Sequence, residues 1–361
     1  MATGYRLRAA IVILALHAPA APAQEAQTAA IALTPAQSQF DLARPEILAF
    51  VQEVASRNES LDQRSVLELL GKAAPQPRIL ELISRPAERV SPWWEYRARF
   101  LNEQRIAEGA RFWEANRKVL ERVSRGRGVP PEYIVAIIGV ETLYGRITGG
   151  FRVLDALATL AFDYPPRSDY FRRELEQFML LAREEPVDPL SALGSYAGAM
   201  GAPQFMPSSY RRYAVDGGTD QRRDLWTAWD DVIASVANYF REHGWETGAP
   251  VLAEVELDPD PTFTIDTRNL ELNETVDSLR ANGVRVLQDA PGDTPTLLVF
   301  AERPDGPAYR VGFRNFQVIT HYNRSARYAM AVHELAHAIA ARVPPAPPAA
   351  PAPAPETEPP S

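Results

Sequence analysis

The spacing of hydrophobic residues changes along the chain from a helical period to an alternating one. Between residues 39 and 128, apolar side chains recur three or four positions apart, as Phe50 and Val54 do, which predicts amphipathic helices. After residue 250 the period shortens, and three stretches are typical of β-strands: 251–257, 262–265 and 296–300. The pattern therefore predicts an α+β protein that is predominantly helical and carries a small β-containing subdomain.

One strongly apolar run, residues 134–140, leads directly into a carboxylate, Glu141, and a glycine follows at position 145. Two prolines precede the run, and proline is tolerated in the first turn of a helix because that N–H has no intrahelical partner. At 3.6 residues per turn, Glu141 shares a helix face with Ile134 and Ile138. A carboxyl desolvated by such neighbours has a raised pKa, as a general acid near neutral pH requires. The alternative is that Glu141 lies at a frayed helix end and faces water.

A second unusual stretch, residues 194–210, places three glycines and two prolines among Tyr, Met, Gln, Phe and Ser residues. This composition disfavours both helix and strand, but its glycines let the backbone approach a ligand closely. We therefore expect one wall of a sugar-binding site here. Tyr96, in an aromatic segment at 92–96, is of a type that stacks on sugar rings, although such clusters more often belong to a core.

Two motifs together carry a family resemblance. Residues 139–145 read Gly-Val-Glu-Thr-x-Tyr-Gly, and residues 198–210 read Gly-Ala-Met-Gly-x-x-Gln-Phe-Met-Pro-Ser-Ser-Tyr. Further matching segments are 94–97, 154–160, 235–240, 322–325 and 328–332. With these residues the chain resembles the membrane-bound lytic murein transglycosylase B family, glycoside hydrolase family 103. The resemblance extends from about residue 40 to residue 343 and is densest between residues 130 and 245.

The resemblance implies a lysozyme-like catalytic core and a lytic reaction on peptidoglycan. The expected division of the chain is an N-terminal helical region at 39–128, the core at 129–250, the β-containing subdomain at 251–320 and a C-terminal helix at 321–342. A glycine-containing loop at 124–129 is expected to join the first two parts. In the implied reaction Glu141 acts first as acid and then as base, cleaving the β-1,4 bond between N-acetylmuramic acid and N-acetylglucosamine with formation of a 1,6-anhydromuramoyl product. A hydrolytic muramidase, which would use two carboxylates and water, is the alternative.

The resemblance also implies a set of substrate-binding residues. They match the positions that line the cleft of the family, namely Tyr96, Arg167, Ser195, Gln204, Tyr239, Tyr322, Asn323 and Tyr328. The family usually has two adjacent arginines that approach the acidic peptide stem of the substrate. This chain has Pro166 before Arg167, so one of the two is missing.

The segment that begins at Asp216 is a candidate calcium loop. Asp216 and Asp220 occupy the first and fifth positions of an EF-hand pattern, but Gly218, Gln221 and Thr227 stand where the general motif requires other residues. The family resemblance nevertheless implies an EF-hand-like site here, completed by a later carboxylate, for which Asp231 is the better match and Asp230 the alternative. No cofactor is expected for catalysis itself, so calcium would be structural.

A rival motif lies near the C-terminus. The segment His333-Glu334-Leu335-Ala336-His337 has the H-E-x-x-H form, in which two histidines on one helix face bind zinc and the glutamate acts as base. A catalytic zinc also requires a third protein ligand, and the later candidates are Glu356 and Glu358 in a Pro-rich segment. A zinc metallopeptidase is therefore a second alternative, while in the family resembled here this helix is structural.

Composition and charge narrow the possible partners and the compartment. The formal net charge of −8 and the lack of a Lys/Arg block disfavour nucleic acid as a partner. Residues 1–23 have the arginines, short apolar run and small-residue site of a cleaved signal peptide, so we expect a periplasmic protein. The chain contains no cysteine, which rules out disulfides and a lipid anchor through cysteine. We expect a flexible lead-in at 24–38, a disordered Pro/Ala-rich tail at 343–361, a monomer, and peptidoglycan strands as the partner.

Overall fold

The computed structural model describes residues 39–84, 91–266 and 268–344. The predicted signal peptide, the lead-in and nearly all of the predicted tail lie outside these residues. None of the described helices combines the length and the apolar character needed to cross a membrane.

The N-terminal region consists of helices, as the hydrophobic spacing predicts. Their bounds are α1 Pro45–Arg57, α2 Gln63–Leu70, α3 Pro77–Ser84, α4 Trp93–Phe100, α5 Glu103–Ala115 and α6 Arg117–Arg127. The side chain of Asn102 accepts a hydrogen bond from the backbone N–H of Arg105, so it caps the start of α5. The loop predicted at 124–129 is wrong in part, because α6 continues through Gly126 to Arg127 and is capped by Gly128, whose φ of 72° is left-handed.

The middle of the chain forms the central helical body. It contains α7 Pro131–Thr142, β1 Phe151–Arg152, α8 Val153–Asp163, a 3-10 turn Pro165–Arg167, α9 Ser168–Glu184, β2 Leu193–Gly194, α10 Pro207–Tyr213 and α11 Trp229–Glu242. Every residue of α7 from Tyr133 to Val140 is buried, because α5, α6, α11 and the last helix of the chain, Ala326–Ala340, pack around it. A helix that is apolar on all sides is stable only in such a position. The Glu141 helix is therefore the axis of the core.

The last part of the chain adds a small antiparallel sheet and three helices. The elements are β3 Leu252–Leu257, β4 Glu274–Thr275, α12 Val276–Ala281, β5 Val284–Val286, β6 Pro295–Phe300, β7 Tyr309–Gly312, α13 Arg314–Tyr322 and α14 Ala326–Ala340. The strand order is β4-β6-β7-β3-β5. Leu297 and Val299 of β6 join the main core, whereas Val311 of β7 packs in a second cluster with Val276 and Leu279 of α12. The sheet thus lies between α12 and the helical body.

Two of the three predicted strands are confirmed, as β3 and β6. The strand predicted at 262–265 is wrong, because this stretch is irregular. Pro259 and Pro261 precede it, and proline has no N–H to donate to a sheet ladder, so the chain leaves the sheet after β3. The final helix is preceded by α13, and Ser325 caps α14 by accepting a hydrogen bond from the backbone N–H of Tyr328 at 3.3 Å.

Candidate active site

Glu141 lies in the last turn of α7, where it is half-buried. Burial raises the pKa of its carboxyl from 4.5 to about 7. The hydroxyl of Tyr328, on α14, donates a hydrogen bond to Glu141 Oε1 at 2.5 Å, which favours the carboxylate and partly opposes the rise in pKa. The side chain is therefore held among protein groups and is not at a frayed helix end facing water.

The chain turns sharply after Glu141 through residues that seldom adopt such a backbone. Leu143 and Tyr144 have φ angles of 49° and 59°, in the left-handed region, and Gly145 follows with 80°. For residues with a Cβ this conformation costs about 1–2 kcal/mol each. The turn folds Tyr144 back over α7, where its hydroxyl donates to the backbone oxygen of Arg105 at 2.8 Å. A Cβ at Gly139 would lie 2.6 Å from the Tyr144 hydroxyl, so the glycine makes room for this ring.

Thr142 connects the end of α7 to the glycine-rich segment 194–210. Its hydroxyl donates to the backbone oxygen of Ala202 at 2.8 Å and accepts from the backbone N–H of Gly145 at 3.0 Å. Because Thr142 is almost fully buried, these bonds are shielded from water. The end of the Glu141 helix and the glycine-rich segment are thereby fixed relative to each other.

The side chains predicted to bind substrate from this segment also hold its shape. Ser195 Oγ accepts from the backbone N–H groups of Ala197 and Ala199 at 3.3 and 3.1 Å. Gln204, with a left-handed φ of 53°, donates from Nε2 to the backbone oxygens of Thr148 and Gly201, each at 3.0 Å. Both residues are half-buried, and their contact with substrate stays a prediction.

Three of the predicted tyrosines form one aromatic cluster next to Glu141. The Tyr322 and Tyr328 rings are nearly parallel, with centroids 6.5 Å apart, and the Tyr239 centroid lies 4.7 Å from that of Tyr322. Phe205, from the glycine-rich segment, packs against both Tyr239 and Tyr322. Burial raises the pKa values of the three phenols, and the negative charge of Glu141 adds to each rise. The phenols therefore stay protonated and can donate hydrogen bonds.

Tyr96 approaches the same carboxyl from helix α4. Burial raises its pKa to about 12, with Glu141 adding to the rise and Arg327 and Arg99 opposing it. The Arg327 guanidinium lies 5.5 Å from the centre of the Tyr96 ring. The structure thus brings Tyr96, Tyr239, Tyr322 and Tyr328 together around Glu141.

The two remaining predicted residues lie at the edges of this arrangement. Asn323 lies between α13 and α14, where its backbone oxygen accepts from the N–H of Ser325 at 2.6 Å. Arg167 is exposed, and its guanidinium stacks over the rings of Tyr170 and Phe171 at 4.5 and 5.3 Å from their centroids. No contact of Arg167 with the Glu141 cluster is present among the described residues, so its role stays a prediction.

Four residues that organise the site were not singled out by sequence reasoning. Thr142, Tyr144 and Phe205 all stand inside the two motifs, next to residues that were singled out, so the motifs themselves were the available signal. Arg327 stands immediately before Tyr328. Its contact with Tyr96 joins α14 to α4 and could not be predicted from local pattern.

The candidate calcium loop has part of the geometry that calcium requires. Gln221, at the position where an EF-hand has glycine, adopts a left-handed φ of 60°, so the loop makes the sharp turn of that motif despite its sequence. Asp231 is buried, and burial together with the charge of Asp216 raises its pKa, which indicates two nearby carboxylates. Asp220 is exposed and accepts from the backbone N–H of Arg222 at 3.0 Å. Among the described residues, no three His, Cys, Asp or Glu side chains converge as a metal-binding group.

The alternative late carboxylate of this loop, Asp230, is engaged elsewhere. Its Oδ1 accepts a hydrogen bond from Arg122 Nη2 at 2.7 Å. Asp231 instead accepts the backbone N–H groups of Gly217 and Asp224, each at 2.8 Å, and so draws the two ends of the loop together. Asp231 is therefore the carboxylate that faces the loop.

The H-E-x-x-H segment of α14 makes contacts that differ from those of a zinc site. Glu334 forms ion pairs with Arg97 of α4 and with Arg310 of β7, the latter at 2.6 Å, so its carboxylate joins three elements. His333 Nδ1 is hydrogen-bonded to the Tyr133 hydroxyl at 2.8 Å, and burial lowers the pKa of His333 to about 3. Glu356 and Glu358, proposed as third ligands, lie outside the described residues. The described part of this motif thus stabilises packing between helices.

Comparisons with known proteins agree with this architecture. A family model described as the transglycosylase SLT domain matches residues 43–337. A relative from Escherichia coli, membrane-bound lytic murein transglycosylase B, is 42% identical over 292 residues, which cover 80% of this chain and 77% of the relative.

Solved structures give the same result. Soluble lytic transglycosylase SltB1 from Pseudomonas aeruginosa is 48% identical, covers 82% of this chain and 99% of its own, and superposes with a TM-score of 0.78. Lytic transglycosylase Slt35 from Escherichia coli, solved in complex with calcium, is 38% identical and has a TM-score of 0.75. The match covers 85% of this chain and 96% of the Slt35 chain. SltB3 from Pseudomonas aeruginosa, in complex with NAG-NAM-pentapeptide, is 30% identical and has a TM-score of 0.71. The match covers 81% of this chain and 78% of the SltB3 chain. The predicted α+β, mainly helical and lysozyme-like fold is confirmed, and the chain belongs to the membrane-bound lytic murein transglycosylase B family.

Proposed function

We propose that Glu141 alone carries out both proton transfers in this peptidoglycan lytic transglycosylase. The observation that supports the proposal most directly is the pKa of about 7, which keeps a large fraction of the carboxyl protonated near neutral pH. Four tyrosines surround the carboxyl, and the negative charge of Glu141 contributes to the raised pKa of each of the four phenols. A reaction that needs one carboxylate in two successive roles suits this arrangement.

The proposed reaction begins with proton donation to the leaving sugar. Protonated Glu141 donates to the oxygen of the β-1,4 bond, the bond from that oxygen to C1 of N-acetylmuramic acid breaks, and an oxocarbenium-like centre forms at C1. The Glu141 carboxylate then accepts the proton of the C6 hydroxyl of the same sugar, whose oxygen attacks C1 and closes the 1,6-anhydro ring. Glu141 is protonated again at the end, and no water is consumed. Tyr328 would stabilise the carboxylate between the two steps through its hydrogen bond.

The remaining cleft residues have proposed roles in holding the glycan. Tyr96, Tyr239 and Tyr322 would offer ring faces or hydroxyls to the sugars. Ser195, Gln204, Asn323 and Arg167 keep the substrate-binding role that the family resemblance implies, with Pro166 in place of one expected arginine.

The mass of the products tests the proposed reaction. Purified protein incubated with sacculi is expected to release muropeptides that end in 1,6-anhydromuramic acid. A hydrolytic muramidase would instead release reducing ends that are heavier by one water, and mass spectrometry separates the two products. Detection of only hydrated ends would rule out the lytic mechanism, and release of nothing would indicate a wall-binding protein without activity.

We also propose that residues 1–23 direct export and that the protein acts in the periplasm. The support is the arrangement of charged, apolar and small residues in that segment, together with a substrate that lies outside the cytoplasm. We further propose a monomer that works without an attached lipid.

We propose that the loop from Asp216 to Asp231 binds calcium as a structural ion. Asp216 and Asp231 would be its main carboxylate ligands, and Asp220 the third. The support is the left-handed turn at Gln221, the proximity of two carboxylates, and the calcium present in the related Slt35 structure. The ion would neutralise the buried charge of Asp231 and would take no part in the reaction.

Calcium is accordingly expected to raise the melting temperature of the protein. At a concentration one hundred times its Kd, the ion adds about 2.7 kcal/mol of stability, which corresponds to about 4 °C for a chain of this size. The increase should disappear in Asp231→Asn and persist in the control Asp188→Asn, an exposed carboxylate in another loop. An equal shift in both variants, or none in the wild type, would contradict a site at this loop. Chelation should leave the anhydro products unchanged at 25 °C, whereas a zinc peptidase would lose its activity.

A further inference from the structure

Two arginines beside Tyr96 have no acidic partner within ion-pair distance among the described residues. Arg327 Nη1 donates to the backbone oxygen of Ser91 at 2.5 Å, and Arg99 Nη2 donates to the hydroxyl oxygen of the same serine at 2.8 Å. The two guanidinium groups therefore meet at Ser91. We call these residues the Arg99–Arg327 pair.

This arrangement is unfavourable for the protein alone. Burial lowers the pKa of Arg327, Tyr96 partly opposes this effect, and the charge of Arg99 adds to the lowering. Arg327 also lies in the first turn of α14, where the positive end of the helix dipole repels a cation. Arg97, on the same helix as Arg99, is by contrast ion-paired with Glu334. A ligand that carries a negative charge would relieve the repulsion at the Arg99–Arg327 pair.

The position of the pair relative to Glu141 indicates where such a ligand would come from. The Arg327 guanidinium lies 5.5 Å from the centre of the Tyr96 ring, and the next residue of α14, Tyr328, donates a hydrogen bond to Glu141, so the pair lies close to the catalytic carboxyl. A glycan placed at Glu141 and stacked on Tyr96 would bring its substituents to the pair. In peptidoglycan the sugar rings are neutral, and the carboxylates are carried by the lactyl ether of N-acetylmuramic acid or by the peptide stem attached to it.

We propose that Arg99 and Arg327 form an anion-binding subsite that binds a carboxylate of the muramoyl substituent. The inference rests on the proposed function, because it assumes that the glycan occupies the Glu141 cleft. Guanidinium groups suit this role because they bind carboxylates through paired N–H donors.

The test measures binding in the Glu141→Gln background, so that the substrate is not consumed and failure of catalysis does not affect the result. Three ligands of equal length are compared: glycan strands with peptide stems, the same strands after an amidase has removed the stems, and a chitooligosaccharide. The first carries only peptide carboxylates, the second only lactyl carboxylates, and the third none. The variants are Arg327→Gln, Arg99→Gln, the charge-conserving Arg327→Lys, and the control Arg125→Gln, an exposed arginine on α6.

Loss of either arginine is expected to weaken binding of carboxylate-bearing strands about tenfold and to leave chitooligosaccharide binding unchanged. Arg327→Lys should recover most of the loss, and Arg125→Gln should bind like the parent. A loss confined to stem-bearing strands would assign the peptide carboxylates, a loss confined to stem-free strands would assign the lactyl carboxylate, and a loss for both would show that the subsite accepts either carboxylate. An equal loss for all three ligands, or a loss for none, would overturn the subsite. The function itself is tested separately, by the anhydro products of the wild type.

Discussion

The variant Glu141→Gln is expected to release 1,6-anhydromuramoyl products from sacculi at least about 10³-fold more slowly than the wild type. Glutamine has nearly the same shape and can accept the Tyr328 hydrogen bond, but it can neither donate a proton to the leaving oxygen nor remove one from the C6 hydroxyl. Both proposed steps are therefore lost together. The measurement is the initial rate of anhydro product formation by mass spectrometry. Retention of wild-type activity would refute the assignment.

A control and a stability measurement make this result specific. Glu132→Gln, at the start of the same helix, should keep its activity.

The pKa of Glu141 is about 7 in the folded protein and 4.5 in its ordinary state, so the folded chain holds this proton more tightly than the unfolded chain. The wild type should accordingly lose stability as the pH rises from about 4.5 through 7, and Glu141→Gln should lack this loss. Parallel stability curves for the two proteins would show that the carboxyl is not buried as described.

Tyr328→Phe is expected to change the pH dependence of the reaction as well as its rate. The hydrogen bond from Tyr328 stabilises the Glu141 carboxylate and so lowers the pKa of that residue. Its removal should raise the pKa, and the fall in kcat/KM at high pH should move upward by about one pH unit, because a hydrogen bond to a charged group is worth about 1.5–3 kcal/mol. The maximal rate should fall about tenfold, since the carboxylate formed after proton donation is less stable.

Tyr133→Phe is the matched control for this variant. Tyr133→Phe also removes a buried phenol that forms a hydrogen bond between α7 and α14. The partner of that phenol is His333 rather than the Glu141 carboxyl. We expect similar folding in both variants and an unchanged pH profile for Tyr133→Phe. A shift of the same size in both, or a shift of the Tyr328→Phe profile to lower pH, would contradict the role given to Tyr328.

The features that could be predicted from sequence are those set by local pattern. The helix that carries Glu141 is strongly apolar and begins at Pro131, where the apolar run and the two prolines place it. The strand predicted at 262–265 failed because two prolines outweighed the local preference for strand. The left-handed turn at Leu143 and Tyr144 depends on distant packing, since the Tyr144 ring fits only where Gly109 and Gly139 leave space. The H-E-x-x-H motif by itself fits either a zinc site or a structural helix, and the ion pairs of Glu334 with Arg97 and Arg310 support the structural role.

The proposed active site is assembled from residues far apart in the chain, and this affects when activity can arise during synthesis. The bond between Tyr328 and Glu141 joins positions 187 residues apart, and Tyr322 and Arg327 come from the same late segment. A nascent or truncated chain that stops before α13 would contain Glu141 without its hydrogen-bond donor and without half of its aromatic neighbours. Cutting of the cell wall would therefore begin only after the ribosome has finished nearly the whole polypeptide and its last helices have docked.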